Sequence, residues 1–201
     1  MLHVGVIVLA AGRSLRFGAP SESKLLALLR GVPIVHHAAS AAVRADVGDV
    51  VVVTGDRATD VGGAVEGLSV RVVREDGFAE GMAAPLRRGV QALASVDAVM
   101  IALGDQPDVP PEAYRRVDAR WRATGAPIVL PRYAGAPITG HPALFAASVF
   151  PELLSLRGDI GARGLILADP ARVVEENLEW PPPRDVDSLE DLRALTSLTD
   201  A

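Results

Sequence analysis

Residues 4–24 read VGVIVLAAGRSLRFGAPSESK: seven apolar residues, a glycine-broken loop with two arginines, and a closing lysine. The first seven lack polar alternation, as a parallel strand covered by helices on both faces does. The strand ends at Ala11-Gly12. In Gly12-Arg13-Ser14-Leu15-Arg16-Phe17-Gly18 small residues allow close backbone approach, and Arg13, Arg16 and Lys24 are the cationic donors a polyphosphate requires. Taken singly, each cation also suits a solvated loop; gathered in one glycine-broken loop, they predict a triphosphate site at the carboxyl end of the first strand.

The same grammar recurs along the chain. Strands are expected at 50–53, 70–73, 98–103, 127–131 and 172–175, and helices at 33–45, 58–66, 85–94, 110–124, 146–154, 160–167 and 188–195. Pro33 and Pro85 suit first helical turns, and Ser188 suits a cap. The alternation indicates an α/β fold with a doubly wound, largely parallel sheet and ligands at the strands' carboxyl ends. Residues 133–145, with Gly135, Gly140, His141 and Pro142, are expected as a ribbon or turn pair beside that sheet. Adjacent His36 and His37 face different sides of their helix, which predicts one packed and one solvated imidazole rather than a metal pair.

Composition narrows the function. A chain of 201 residues that is 49% apolar builds one α/β core. A net charge of −5 without basic runs argues against nucleic-acid binding, which depends on clustered positive charge. There is no cysteine, which excludes thiolate metal sites and cysteine nucleophiles. The apolar run at 4–10 is too short to span a bilayer and no basic region precedes it, so no membrane contact and a cytoplasmic location are expected.

Common motifs are absent. Gly18 and Lys24 are six apart, which rules out a P-loop, and the dinucleotide fingerprint lacks its third glycine. Asp105 lies just past the buried run 98–103, in Gly104-Asp105-Gln106-Pro107. A carboxylate there can share Mg²⁺ with substrate phosphates, or simply hold the turn before Pro107. With the opening loop, it supplies what phosphoryl-type transfer needs.

The ordered set Leu9-Ala10-Ala11-Gly12-Arg13-Ser14-x-Arg16-Phe17-Gly18, Lys24-Leu25-Leu26, Gly81-Met82, Gly104-Asp105-Gln106-Pro107, Gly140-His141-Pro142-x-x-Phe145, Gly158-Asp159-Ile160-Gly161-Ala162-Arg163 and Asp185-Val186-Asp187-Ser188 resembles the MobA-like nucleotidyltransferases, and most closely the molybdenum cofactor cytidylyltransferase branch. The resemblance implies a single Rossmann-like domain over 1–201, a three-layer sandwich with a mostly parallel mixed sheet like that of nucleotide-diphospho-sugar transferases. It implies a Mg²⁺-dependent enzyme that moves CMP from CTP to the terminal phosphate of molybdopterin and releases pyrophosphate. Carried onto matching positions, Leu9, Ala10, Ala11, Gly12, Arg13, Ser14 and Gly81 would bind nucleotide, with Arg16 and Lys24 on the phosphates and acting with Asp105 in catalysis. Asp105 and Asp187 would hold Mg²⁺, and His141, Asp159 and Arg163 would line the acceptor side. Ala11 points to cytidine rather than guanosine.

Three features depart from the family pattern. Ala19-Pro20-Ser21-Glu22-Ser23 separates Lys24 from Gly18, so the lysine must fold back to reach phosphates. Ala83-Ala84-Pro85 stands where relatives carry a serine run, and the residues just before Gly140 lack the arginine that often precedes the Gly-His-Pro signature. The acceptor therefore stays open between molybdopterin and another phosphorylated molecule, as does a role as a carrier that contacts a molybdenum hydroxylase. Without the resemblance, His141 reads equally as a turn histidine, Asp159 as the cap of a helix starting at 160, and the 185–191 acids as a well-capped helix start.

Overall fold

The computed structural model describes residues 2–12, 17, 23–55, 57–77, 81–136, 140–159 and 161–197. Strand β1 (Val4–Ala10) is followed by a small hairpin of β2 (Leu28–Leu29) and β3 (Val32–Pro33). Arg30 and Gly31 form its two-residue turn, both at positive φ, the geometry that suits the twist of a tight hairpin. Next come α1 (Ile34–Ala45), β4 (Gly48–Thr54), α2 (Ala58–Ala64), β5 (Arg71–Arg74), α3 (Ala83–Ala92), β6 (Ala98–Leu103) and α4 (Pro111–Thr124). The remainder is β7 (Ile128–Tyr133), β8 (Ala143–Ala146), α5 (Phe150–Ser155), α6 (Arg163–Ala168), β9 (Val173–Leu178) and α7 (Leu189–Ser197).

Among the described residues, seven strands form one mixed sheet in the order β5-β4-β1-β6-β8-β7-β9, in which only β8 runs antiparallel to its neighbours. Val4, Val6, Val8 and Ala10 join one core layer with residues of α1 and α4, while Ile7 joins the opposite layer with α3 and α5. Both faces of β1 are thus covered, which is why its sequence lacks alternation. Chain order reverses at β1: β4 and β5 lie to one side, and β6 returns to the other. The crevice past the carboxyl ends of β1 and β6 is therefore the topological switch point, where open α/β sheets bind ligands.

Several expectations are corrected. Residues 143–146 are a strand inside the sheet, not a ribbon beside it. Leu144 and Phe145 are fully buried on opposite faces, so this segment fills the gap between β6 and β7 despite the Gly and Pro that precede it. Helix α3 begins two residues before Pro85, at Ala83; a proline in the first turn forfeits no intrahelical bond, since that N–H has no partner in any helix. Helix α6 begins at Arg163 rather than 160, after non-helical Gly161, so Asp159 is not its cap. His36 and His37 are both half-buried and bonded to different carbonyls, Nδ1 of His36 to Ala64 and Nε2 of His37 to Leu29, each at 2.9 Å. Among the described residues no helix is long and apolar enough to cross a membrane.

Candidate active site at the sheet switch point

Gly104 sets the crevice. Its N–H donates to the Leu9 carbonyl at 2.9 Å, and a Cβ at this position would stand 2.9 Å from that oxygen. Only glycine lets the exit of β6 lie so close to the exit of β1, and Asp105 follows at once. On the β1 side, Gly12 is exposed and a Cβ there would meet nothing within 4 Å, so neither backbone nor packing demands glycine at this point. Arg13, Ser14 and Arg16 lie outside the described residues. Phe17, which follows them, is buried, in a small cluster with Leu29, Ile34, Val186 and Leu195.

That cluster also delivers the second acid. Val186 is fully buried, and its N–H donates to the Asp105 carbonyl at 3.0 Å. In extended chain, residues flanking a buried side chain share the opposite face, so Asp185 and Asp187 both turn toward the crevice. Helix α7, just beyond, is held by a reciprocal cap: Ser188 N–H donates to Asp191 Oδ2 at 2.8 Å, and Asp191 N–H to Ser188 Oγ at 3.2 Å. The Ser188 hydroxyl, donating to the same Oδ2 at 2.7 Å, and then the Asp187 N–H at 3.1 Å hold the Asp191 carboxyl below its ordinary range.

Lys24 joins the two acids. It opens a short 3₁₀ turn whose next residue, Leu25, is buried in the core. Lys24 Nζ lies 2.6 Å from Asp105 Oδ2 and 2.6 Å from Asp187 Oδ1. Burial lowers the ammonium's pKa, but the hydrogen bonds and charges of Asp105 and then Asp187 outweigh it, so the group stays charged with a net upward shift. Carboxylates 82 positions apart in the chain, Asp105 and Asp187, thus converge on one point. Hard oxygens meeting beside a half-exposed Asp187 form a donor set that fits Mg²⁺ or Mn²⁺. Among the described residues no cluster of three or more His, Cys, Asp or Glu side chains is assembled for a metal, so water and substrate oxygens would complete an ion's shell.

Sequence reading missed Gln106 and Asp185. Gln106 Nε2 donates to Asp185 Oδ1 at 2.8 Å, and its buried Oε1 has no partner among the described residues. Burial raises the Asp185 pKa; the Gln106 bond lowers it, and the neighbouring Asp105 and Asp187 charges raise it again. The period-two pattern Asp-Val-Asp was the available signal.

A cavity of about 900 Å³ runs from Leu9, Leu103 and Gln106 to α6 and β9. His141 and Arg163 line it. Burial pushes the His141 imidazole down to about 4, against a smaller opposing effect of the Asp105 charge, so the ring is neutral at physiological pH. Its carbonyl accepts the Tyr133 hydroxyl at 2.6 Å. Asp159 sits where two quoted motifs meet. Gly81 has φ +108°, and a Cβ there would lie 2.5 Å from the Gly158 carbonyl carbon and 2.6 Å from Asp159 Oδ1. Ala83 N–H donates to the Gly158 carbonyl at 3.0 Å, tying the start of α3 to this turn.

A profile of the MobA-like NTP transferase domain matches residues 6–173. The chain belongs to this family. Among solved structures, the rv0371c homolog from Mycobacterium sp. strain JC1 is similar to this MobA-like chain with a TM-score of 0.84 and 29% identity, covering 98% of this chain and 97% of that one. Rv0371c from Mycobacterium tuberculosis H37Rv has a TM-score of 0.83 and 32% identity, with 98% of each chain covered. A manganese complex of Rv0371c matches at 0.81 and 28%, covering 97% of this chain and 98% of that one. The bifunctional protein GlmU of Sphingopyxis alaskensis is 32% identical over 128 residues, or 63% of this chain. The match spans only 28% of GlmU's length. The chain is thus a nucleotidyltransferase by family, with the three-layer α/β sandwich and mostly parallel mixed sheet expected of it.

Proposed function

We propose that this nucleotidyltransferase moves CMP from CTP to a phosphorylated acceptor and releases pyrophosphate. The observation that carries the reading is the meeting of Asp105, Asp187 and Lys24 at the switch point, beside the opening loop. An acceptor phosphate oxygen attacks the α-phosphorus of CTP; the bond to the β-phosphate bridging oxygen breaks, and its electron pair leaves with pyrophosphate. The attacking oxygen is already ionised, so no protein nucleophile is needed. Leu9, Ala10, Ala11 and Gly12 carry the nucleotide with Gly81, and the open space at Gly12 leaves room for it. Arg13, Ser14, Arg16 and Lys24 bind the phosphates and oppose charge on the leaving group. Asp105 and Asp187 hold a divalent ion, Mg²⁺ or Mn²⁺, which when bound neutralises phosphate charge. His141, Asp159 and Arg163 face the acceptor. The manganese complex of Rv0371c supports the divalent assignment, and Ala11 supports cytidine.

Molybdopterin is the first acceptor to test because of the sequence resemblance. The experiment is pyrophosphate release from each of the four NTPs with molybdopterin, sugar phosphates and other monophosphates, for the wild type and Asp105→Ala. The expected result is release from CTP that falls by about a thousandfold or more in the variant while its fold is retained. Full activity in Asp105→Ala removes Asp105 from the mechanism, and CTP binding without release for any acceptor favours a carrier.

A further inference from the structure

The cavity beside Asp105 carries information about the acceptor that the charged crevice does not. Its floor comes from three neighbouring strands on one face of the sheet: Ile101, Leu130, Ala143 and Phe145 are buried, and Leu86 closes the α3 side. At its mouth stand Met82, 55% exposed, and Leu167, 66% exposed. Helix α6 reads Arg-Gly-Leu-Ile-Leu-Ala, yet none of its residues is buried, although Ile166 and Leu167 line the cavity. Leu165 and Ile166 of this helix pack partly against the core below, while Leu167 leaves apolar surface exposed that water solvates poorly.

Several polar groups on these walls pair with one another, although Gln106 Oε1 stays unpaired among the described residues. Arg132 and Glu175 form a two-pronged ion pair across β7 and β9. Gln106 spends its amide N–H on Asp185, and Tyr133 spends its hydroxyl on the His141 carbonyl. Burial also pushes the Tyr133 hydroxyl's pKa upward, so it stays neutral. Of the lining side chains, Arg163 alone offers a cation that no hydrogen bond or ion pair engages among the described residues. A polyhydroxylated body entering here would exchange water for walls that return few hydrogen bonds, whereas an apolar body would not. The volume lies within the range of pockets that enclose small molecules rather than peptides.

We propose that the acceptor is a monophosphate ester of an apolar alkyl or aryl alcohol, its phosphate at the Asp105 end and its hydrocarbon body between Phe145, Leu130 and α6. This names the acceptor class of the reading above and rests on it. Titration calorimetry with ethyl, butyl and hexyl phosphate, with glucose 1-phosphate as the polar control, tests the cavity without turnover. Affinity is expected to rise about two- to fourfold for each buried methylene, and hexyl phosphate to bind at least tenfold tighter than glucose 1-phosphate. Because Met82 and Leu167 are exposed, Met82→Asp and Leu167→Asp should fold normally; each should cut hexyl phosphate affinity several-fold and leave CTP affinity unchanged. A flat chain-length series, tighter binding of the sugar phosphate, or variants without effect overturns the proposal. Pyrophosphate release with CTP and the same esters judges the transferase reading separately. A rising affinity series with no release keeps the apolar cavity and rejects the reaction, whereas release with molybdopterin or glucose 1-phosphate but not with hexyl phosphate does the reverse.

Discussion

Lys24 holds two acids that repel each other when it is removed. The ammonium is mostly buried and Asp105 largely so, while Asp187 is half exposed, which tempers the interaction. Lys24→Ala is expected to destabilise the protein by about 1–3 kcal/mol, with millimolar MnCl₂ recovering more stability in the variant than in the wild type. Thermal melts with and without the ion measure both effects; equal melts for the two proteins would remove the lysine from this role. His141 gives a second test. Its folded pKa of about 4 lies below the ordinary 6.5, so the unfolded chain takes up a proton that the native chain refuses. The resulting stability is fully present above pH 6.5 and drains as pH falls toward 4, by on the order of 1–3 kcal/mol. Denaturant titrations from pH 7 to 4 should show a steeper loss in the wild type than in His141→Phe.

At the scale of elements, the turn at 158–159 and the entry to α3 are one unit because Gly81 permits contact between them. Gly81→Ala puts a methyl group where the Gly158 carbonyl stands, at a φ that L-residues rarely adopt. A cost of about 1–3 kcal/mol is expected, together with a larger loss in acceptor KM than in CTP affinity, since Asp159 moves with the turn. Steady-state kinetics on both substrates separate these effects. The D-V-D segment shows the same logic: one buried valine aims both neighbouring carboxylates, so Asp185 and Asp187 owe their positions to Val186 and the cap of α7.

Across the whole molecule, β8 is the stitch. It pairs with β6 on one edge and β7 on the other, joining the amino-terminal parallel strands to the carboxyl-terminal ones in a single sheet. The chain is therefore expected to unfold in one cooperative transition, with near- and far-ultraviolet circular dichroism giving the same midpoint; two separated transitions would mean that the halves fold independently. Strands β1, β4 and β6 and helices α1 and α4 were legible in the sequence, because apolar runs, prolines and glycines act over a few residues. The place of Asp105 was legible for the same reason, just past the end of β6, whereas Arg13, Ser14 and Arg16 of the opening loop lie outside the described residues. The place of β8 was not, since Gly140 and Pro142 advertise a turn while burial of Leu144 and Phe145 depends on strands far away in the chain. Nor were the partnership of Lys24 with Asp187, the Gln106–Asp185 bond or the apolar walls of the cavity. The sequence by itself determined the family, the carboxyl edge of the sheet and the kinds of side chain placed there. Only the tertiary structure decided which of them meet, because ion pairs and cavities form between segments whose separation in the chain carries no local signal.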